Sequence, residues 1–215
     1  MRWASRAQFF GSGFIFATWG VHIPTVKIHY GVDEAAVGLA MLAAGVGGLL
    51  GPTQASRWIG RHGARGTAGL CGAIYALLLA GLLAMPSYGA LLGLLAVFGV
   101  LTGVFDVAIN TEAAQLELRN GHPLMSGMHG MFSLGGMAGA VTGGAALAAG
   151  MAPQSHLALV AAAMALSIAL SSRWMLPKEA TAFTSTGDGF RLPHGALAVL
   201  GVLAALGLIA EGAIY

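Results

Sequence analysis

Charge is scarce in this chain. Asp, Glu, Lys and Arg together make up 8% of its 215 residues, against roughly 25% in a soluble domain. So few charges cannot clothe a globule of this length in a solvated surface, which excludes an ordinary soluble protein. Cysteine is nearly absent too. The single Cys71 lies in an apolar segment, so an intrachain disulfide and a zinc-ligand spacing are both excluded. The ten basic residues are spread over separate segments and form no patch with interleaved aromatics, which argues against nucleic acid as a partner. Enzyme patterns are missing as well. There is no Walker-type phosphate loop and no histidine-rich metal pattern, and Ser126 in PLMSGMHG lacks a glycine two residues before it. The sequence therefore predicts a non-enzyme without a cofactor.

What is present is apolar. Hydrophobic residues make up 57% of the chain, and glycine numbers 34. Mean hydropathy is +0.79. Glycine this abundant suits membrane helices, where it lets backbones approach closely. About 20 apolar residues make one crossing, which places spans near 7–25, 35–58, 67–85, 90–116, 124–149, 157–175 and 196–215. Arg2 and Arg6 before the apolar run from Phe9 resemble a signal peptide, but no A-x-A-like cleavage site follows, so this run reads as the first span. Most connections are short, including the one at 60–66. The exception is PKEATAFTSTGDGFRLPH, from Pro177 to His194, which reads as a linker between two bundles.

Basic residues orient the spans. With the N-terminus in the cytoplasm, Arg2, Arg6, Arg57, Arg61, Arg65, Arg119, Arg173, Lys178 and Arg191 all fall on the cytoplasmic side, and only Lys27 falls outside. The seventh segment runs to Tyr215 with no polar tail. The expected organisation is a six-helix bundle over 1–176, a cytoplasmic linker over 177–195, and over 196–215 the first helix of a second, incomplete bundle.

Spans one to three and four to six share characters in the same order, as an internal repeat would. The first of each triplet is polar, with Ser12, Thr18 and His22 in one and Thr102, Asp106 and Asn110 in the other. The second carries small residues four apart: Ala43, Gly47 and Gly51, then Gly135, Gly139 and Gly143. Such stripes permit close helix contact. The third is nearly featureless. An odd number of helices per repeat inverts its topology.

Three segments carry a family resemblance. Gly60-Arg61-His62-Gly63-Ala64-Arg65 follows the second span, Asp106-Val107-Ala108-Ile109-Asn110 lies in the fourth, and GHPLMSGMHGMFSLGG runs from Gly121 to Gly136. The first is similar to the D-R-x-G-R-R loop signature of the major facilitator superfamily (MFS). The second resembles the acid-x-x-x-Asn segment of its fucose–proton symporter branch, and the third resembles a bacterial inner-membrane branch related to those symporters. The signature's acid is replaced here by Gly60, so its usual ion pairing is absent. The resemblance implies an all-α integral membrane fold. That fold is the N-terminal half of a twelve-helix transporter, built of two inverted three-helix repeats, in a bacterial inner membrane. It implies secondary transport of a small solute by alternating access, with protons as the coupling partner and the C-terminal half missing. The alternative is a non-transporting fragment, sensor or partner protein of the same fold.

Asp106 is the leading candidate for the solute and proton pathway. Thr102, Asp106 and Asn110 share one helix face at a spacing of four. An acid at a helix centre costs roughly 2.5–3.5 kcal/mol on insertion scales, so it marks a watery cavity or a partner. The structural alternative is a bond to a neighbouring helix or to Arg57 or Arg61. His22 in the first span is expected to line the same cavity across from Asp106, the alternative being an interfacial histidine beside Pro24. Trp19 reads as an interfacial anchor by default, with a place on the cavity wall as the alternative. Glu211 would line it from the second bundle. Arg57, Arg61 and Arg65 form the expected conformational-switch loop. His129 reads as a helix-packing hydrogen bond, and Trp3, Trp58 and Trp174 as interfacial anchors.

Overall fold

A computed structural model describes residues 1–181 together with 195, 198, 199, 202, 203 and 206. The chain divides into two units, Met1–Phe183 and Thr184–Tyr215. In the second unit, Ala198, Val199, Val202 and Leu203 are helical, and Val199, Val202, Leu203 and Leu206 are exposed. Most of the expected linker, most of the seventh span and Glu211 lie outside the described residues.

The first unit holds five long helices and two short 3-10 turns: α1 (Arg2–Tyr30), α2 (Glu34–Leu78), α3 (Tyr88–Asn120), α4 (Met125–Ala148) and α5 (Pro153–Ser172). Among the described residues, four helical stretches, Glu34–Gly81, Tyr88–Asn120, Met125–Ala148 and Pro153–Ser172, are long and apolar enough to cross a membrane. The polar side chains of α1 turn inward. Ser5, Gln8, Ser12, Thr18 and His22 form a buried stripe, and the outer faces of the bundle expose Leu42, Leu49, Val97, Val141 and Leu159. Such a surface belongs in lipid, where apolar side chains outside incur no cost.

Helix ends follow local chemistry. The Asp33 carboxylate accepts from Ala36 N at 2.9 Å and starts α2, while Ser87 Oγ accepts from Ala90 N at 3.2 Å and starts α3. Gly31 and Gly121 close α1 and α3 in the left-handed region. The Glu117 side chain reaches beyond α3 to accept from Leu124 N at 2.7 Å and Met125 N at 3.0 Å. It thereby caps the N-terminus of α4.

The second and third spans are not separated by the loop expected at 60–66. They are two arms of α2, and the one residue with non-helical angles is Gly63, at φ 72° and ψ 168°. This conformation is open almost only to glycine. A Cβ there would also lie 2.7 Å from the Cα of Lys178. The turn after α5 docks against this kink, with Ala64 N donating to Thr181 Oγ1 at 3.0 Å, and against α3, with Leu176 N donating to the buried Glu112 carboxylate at 2.8 Å. Gly63→Ala should therefore destabilise the bundle by about 1–3 kcal/mol, read as a shifted unfolding midpoint in detergent. An unshifted midpoint would mean that the arms turn elsewhere.

Two helix pairs bring their backbones together through glycine. A Cβ on Gly47 would overlap the Ala96 carbonyl oxygen, and one on Gly99 the Ala44 oxygen; a Cβ on Gly135 would overlap the Phe10 oxygen, and one on Gly13 the Phe132 oxygen. Gly51 and Gly139 repeat the relation one turn on, against Val100 and Phe14. The two crossings are thus reciprocal copies. The first α2 arm meets α3 as α4 meets α1, which is the pattern that two three-helix repeats would produce.

The connections collect at two ends. Tyr30 OH donates to Leu82 O at 2.9 Å and Tyr88 OH to Ala36 O, which join the α1–α2 turn to the loop before α3. Lys27 pairs with Glu34 at this end. At the other end, Arg2 bonds Asn120 and His122, and Ala64 bonds Thr181. That end gathers Arg2, Arg61, Arg65, Arg119, Arg173 and Lys178, so the described basic residues sort by end of the bundle.

Candidate functional site

The face of α3 that carries Thr102, Asp106 and Asn110 is only partly covered by the bundle. Asp106 is exposed, and its neighbours one turn either side are half-buried. Asn110 Nδ2 donates to the Asp106 backbone carbonyl at 2.9 Å and to its carboxylate Oδ1 at 3.1 Å. Thr102 Oγ1 donates to Phe98 O at 2.7 Å, which satisfies its proton within the helix. The Asp106 carboxylate therefore has one neutral amide donor and an open second oxygen. The alternative bond to Arg57 or Arg61 is not formed. Arg57 donates to Gln54 at 3.3 Å, and the ion pair found among the described residues is Lys27–Glu34, at the other end.

Beneath this face lies a group the sequence reading passed over. Tyr75, from the second arm of α2, is fully buried. Its ring packs on Phe98 at 4.6 Å and Phe105 at 6.1 Å between centroids. Its hydroxyl has no partner among the described residues. A tyrosine in an otherwise featureless span was the one available signal. His129 on α4 is exposed, with its ring edge-on to Phe9 at 5.4 Å. The helix-packing hydrogen bond expected of it is absent among the described residues.

His22 turns the other way. It is fully buried, and its Nε2 meets His156 Nδ1 on α5 at 2.9 Å. It therefore packs against α5 inside the bundle rather than across a cavity from Asp106, and its Nδ1 has no partner among the described residues. His156 stands 134 residues away, so no local pattern announced the pair. Trp19 is 7% exposed and belongs to the core, which corrects its expected place at the interface or on a cavity wall. Trp3 and Trp174 stay exposed.

Arg57, Arg61 and Arg65 are exposed along the kinked region of α2. Gly47 and Gly51 meet α3, and Gly135 and Gly139 meet α1. Gly143 is looser: a Cβ there would press on the side chains of Val21 at 3.2 Å and His156 at 3.4 Å rather than on backbone. No group of three or more metal-binding side chains occurs among the described residues.

An all-helical bundle with apolar outer faces and one open acidic face is the architecture of a multi-pass membrane protein. No family model matches the chain. Over 209 residues, 97% of its length, it is 30% identical to an uncharacterised MFS-type transporter of Yersinia pestis. It is 28% identical to an uncharacterised transporter of Sinorhizobium fredii over 208 residues and to the membrane protein MosC of Rhizobium meliloti over 211, in each case 96% of this chain. The matched regions cover 54%, 55% and 50% of those proteins. The chain spans about half the length of the curated relatives it matches.

Proposed function

We propose that this chain is the N-terminal half of a major facilitator secondary transporter that moves a small solute by alternating access, coupled to protons through Asp106. The observation that carries this reading is an acid on an open face of a membrane-type helix, held by one neutral amide and paired with no cation among the described residues. Its place would be a watery cavity, since lipid would not tolerate it. A single carboxylate with a free oxygen can take up a proton on one side and release it on the other. Asn110 orients it, and Thr102 extends the same face. The transporter names of the relatives support transport. The acid-x-x-x-Asn segment favours the symporter branch.

In this reading residues 1–176 are one six-helix bundle, 177–195 a linker and 196–215 the start of the second bundle, whose Glu211 would face the same cavity. Arg57, Arg61 and Arg65 would form the conformational-switch loop. The test uses the full-length transporter in proteoliposomes loaded with pyranine. A panel of small neutral and acidic solutes is added outside, and solute-driven acidification is recorded. A solute that carries protons inward supports the reading. Transport that ignores the pH gradient removes the coupling, and binding without flux favours a sensor or partner protein.

Topology is tested separately. The basic end is proposed to be cytoplasmic. A cysteine at Ser56 should react with a membrane-impermeant maleimide only in inside-out vesicles, and one at Ile28 only in intact cells. Native Cys71 is buried and should add little background. The opposite pattern would invert the orientation.

A further inference from the structure

At the end of the bundle where the chain begins, α1 and α5 part to leave an open groove of about 510 Å³. Trp3 and Ala4 form one wall, and Ser167, Leu170, Ser171 and Trp174 the other. The Ser171 hydroxyl is already used, donating to Ser167 O at 2.6 Å and accepting from Gln8 Nε2 at 2.9 Å. What the groove offers a ligand is therefore mainly hydrocarbon and two indole rings, Trp3 at 75% and Trp174 at 62% exposure. Two arginines neighbour the tryptophans of this slot. The Arg6 guanidinium lies 4.9 Å over the Trp3 ring, drawn back toward the helix end as an arginine beside lipid is. Arg173 adjoins Trp174 in sequence and is exposed. Neither is paired with a carboxylate among the described residues.

An apolar slot, an indole rim and two uncompensated guanidinium groups fit one kind of occupant. A soluble anion would leave Trp3, Leu170 and Trp174 in water. An apolar helix would cover them but leave both arginines without counter-charge. A phospholipid with an anionic headgroup satisfies both parts at once, and indoles favour the headgroup level. We propose that the α1–α5 groove is a binding site for an anionic phospholipid, with an acyl chain between Trp3 and Trp174 and the phosphate at Arg6 and Arg173.

The experiment uses the protein in nanodiscs with Trp19 and Trp58 replaced by Phe, so that Trp3 and Trp174 report. Phosphatidylglycerol or phosphatidylcholine with brominated acyl chains is included at equal mole fraction, and quenching is compared. Phosphatidylglycerol should quench more strongly. One arginine near a membrane surface is worth about five-fold in affinity for anionic lipid, so Arg6→Gln and Arg173→Gln should each reduce the preference by about that factor. Equal quenching by the two lipids overturns the proposal, as does a preference that survives both substitutions. If the Phe variant does not fold, native mass spectrometry of the unmodified protein counts retained phosphatidylglycerol against phosphatidylcholine. Equal retention is then the overturning result.

Discussion

Asp106→Asn in the full-length transporter should abolish proton-driven accumulation, so that internal and external solute concentrations only equalise. Counterflow exchange should survive. A neutral amide resembles the protonated acid in shape and still meets Asn110, so the solute face is kept while the titrating oxygen is lost. Counterflow in the variant should also lose the pH dependence expected of the wild type. Asn110→Ala should give a partial defect, because it removes the one donor that orients the carboxylate but leaves the acid. Val97→Ala, on an exposed and apolar part of the same helix, serves as the control and should do little. Full accumulation by Asp106→Asn would place coupling elsewhere, with Glu211 as the next residue to change.

The second large effect is on folding. Gly135→Leu should disrupt the α1–α4 crossing, and Gly99→Leu the crossing of α2 with α3. At both positions a side chain would meet the backbone of the facing helix rather than the movable end of a side chain. The cost should reach or exceed the upper end of the roughly 1–3 kcal/mol typical of over-packing. Gly144→Leu, on the same helix as Gly135 but with nothing within 4 Å of its Cβ position, should be tolerated. Gly143→Ala should cost far less than Gly135→Leu, because the close neighbours there, Val21 and His156, are side chains that need shift only a few tenths of an ångström. Unfolding in detergent, followed by circular dichroism with rising SDS, separates these cases. If Gly135→Leu and Gly144→Leu behave alike, the close crossing does not hold the bundle together.

Much of the fold was legible because lipid imposes a simple rule. Apolar runs, glycine stripes and basic residues each have a one-dimensional signature, and they located the helices and the stripes on α2 and α4. The spacing of Thr102, Asp106 and Asn110 was legible for the same reason, since a helix turns periodic positions into one face. The glycines on the receiving helices, Gly13 and Gly99, stood out less. Each acts through a partner about 120 or 50 residues away, and a lone glycine in a glycine-rich chain carries no visible meaning.

The sequence by itself determined that this chain is helical and belongs in lipid, that an acid and an amide share a face, and that its basic residues, Lys27 apart, fall in segments that alternate spans bring to one end. These follow from composition and from periods along one helix. Only the tertiary structure decided that His22 bonds His156 inside the bundle, that Trp19 is core, and that Tyr75 lies beneath the acidic face. It also reduced the expected loop at 60–66 to one glycine kink, clasped by the turn after α5. Each of these depends on which helix lies opposite. That choice is made by backbone approach at Gly47 with Gly99 and at Gly13 with Gly135, a property of pairs of surfaces that no single segment carries.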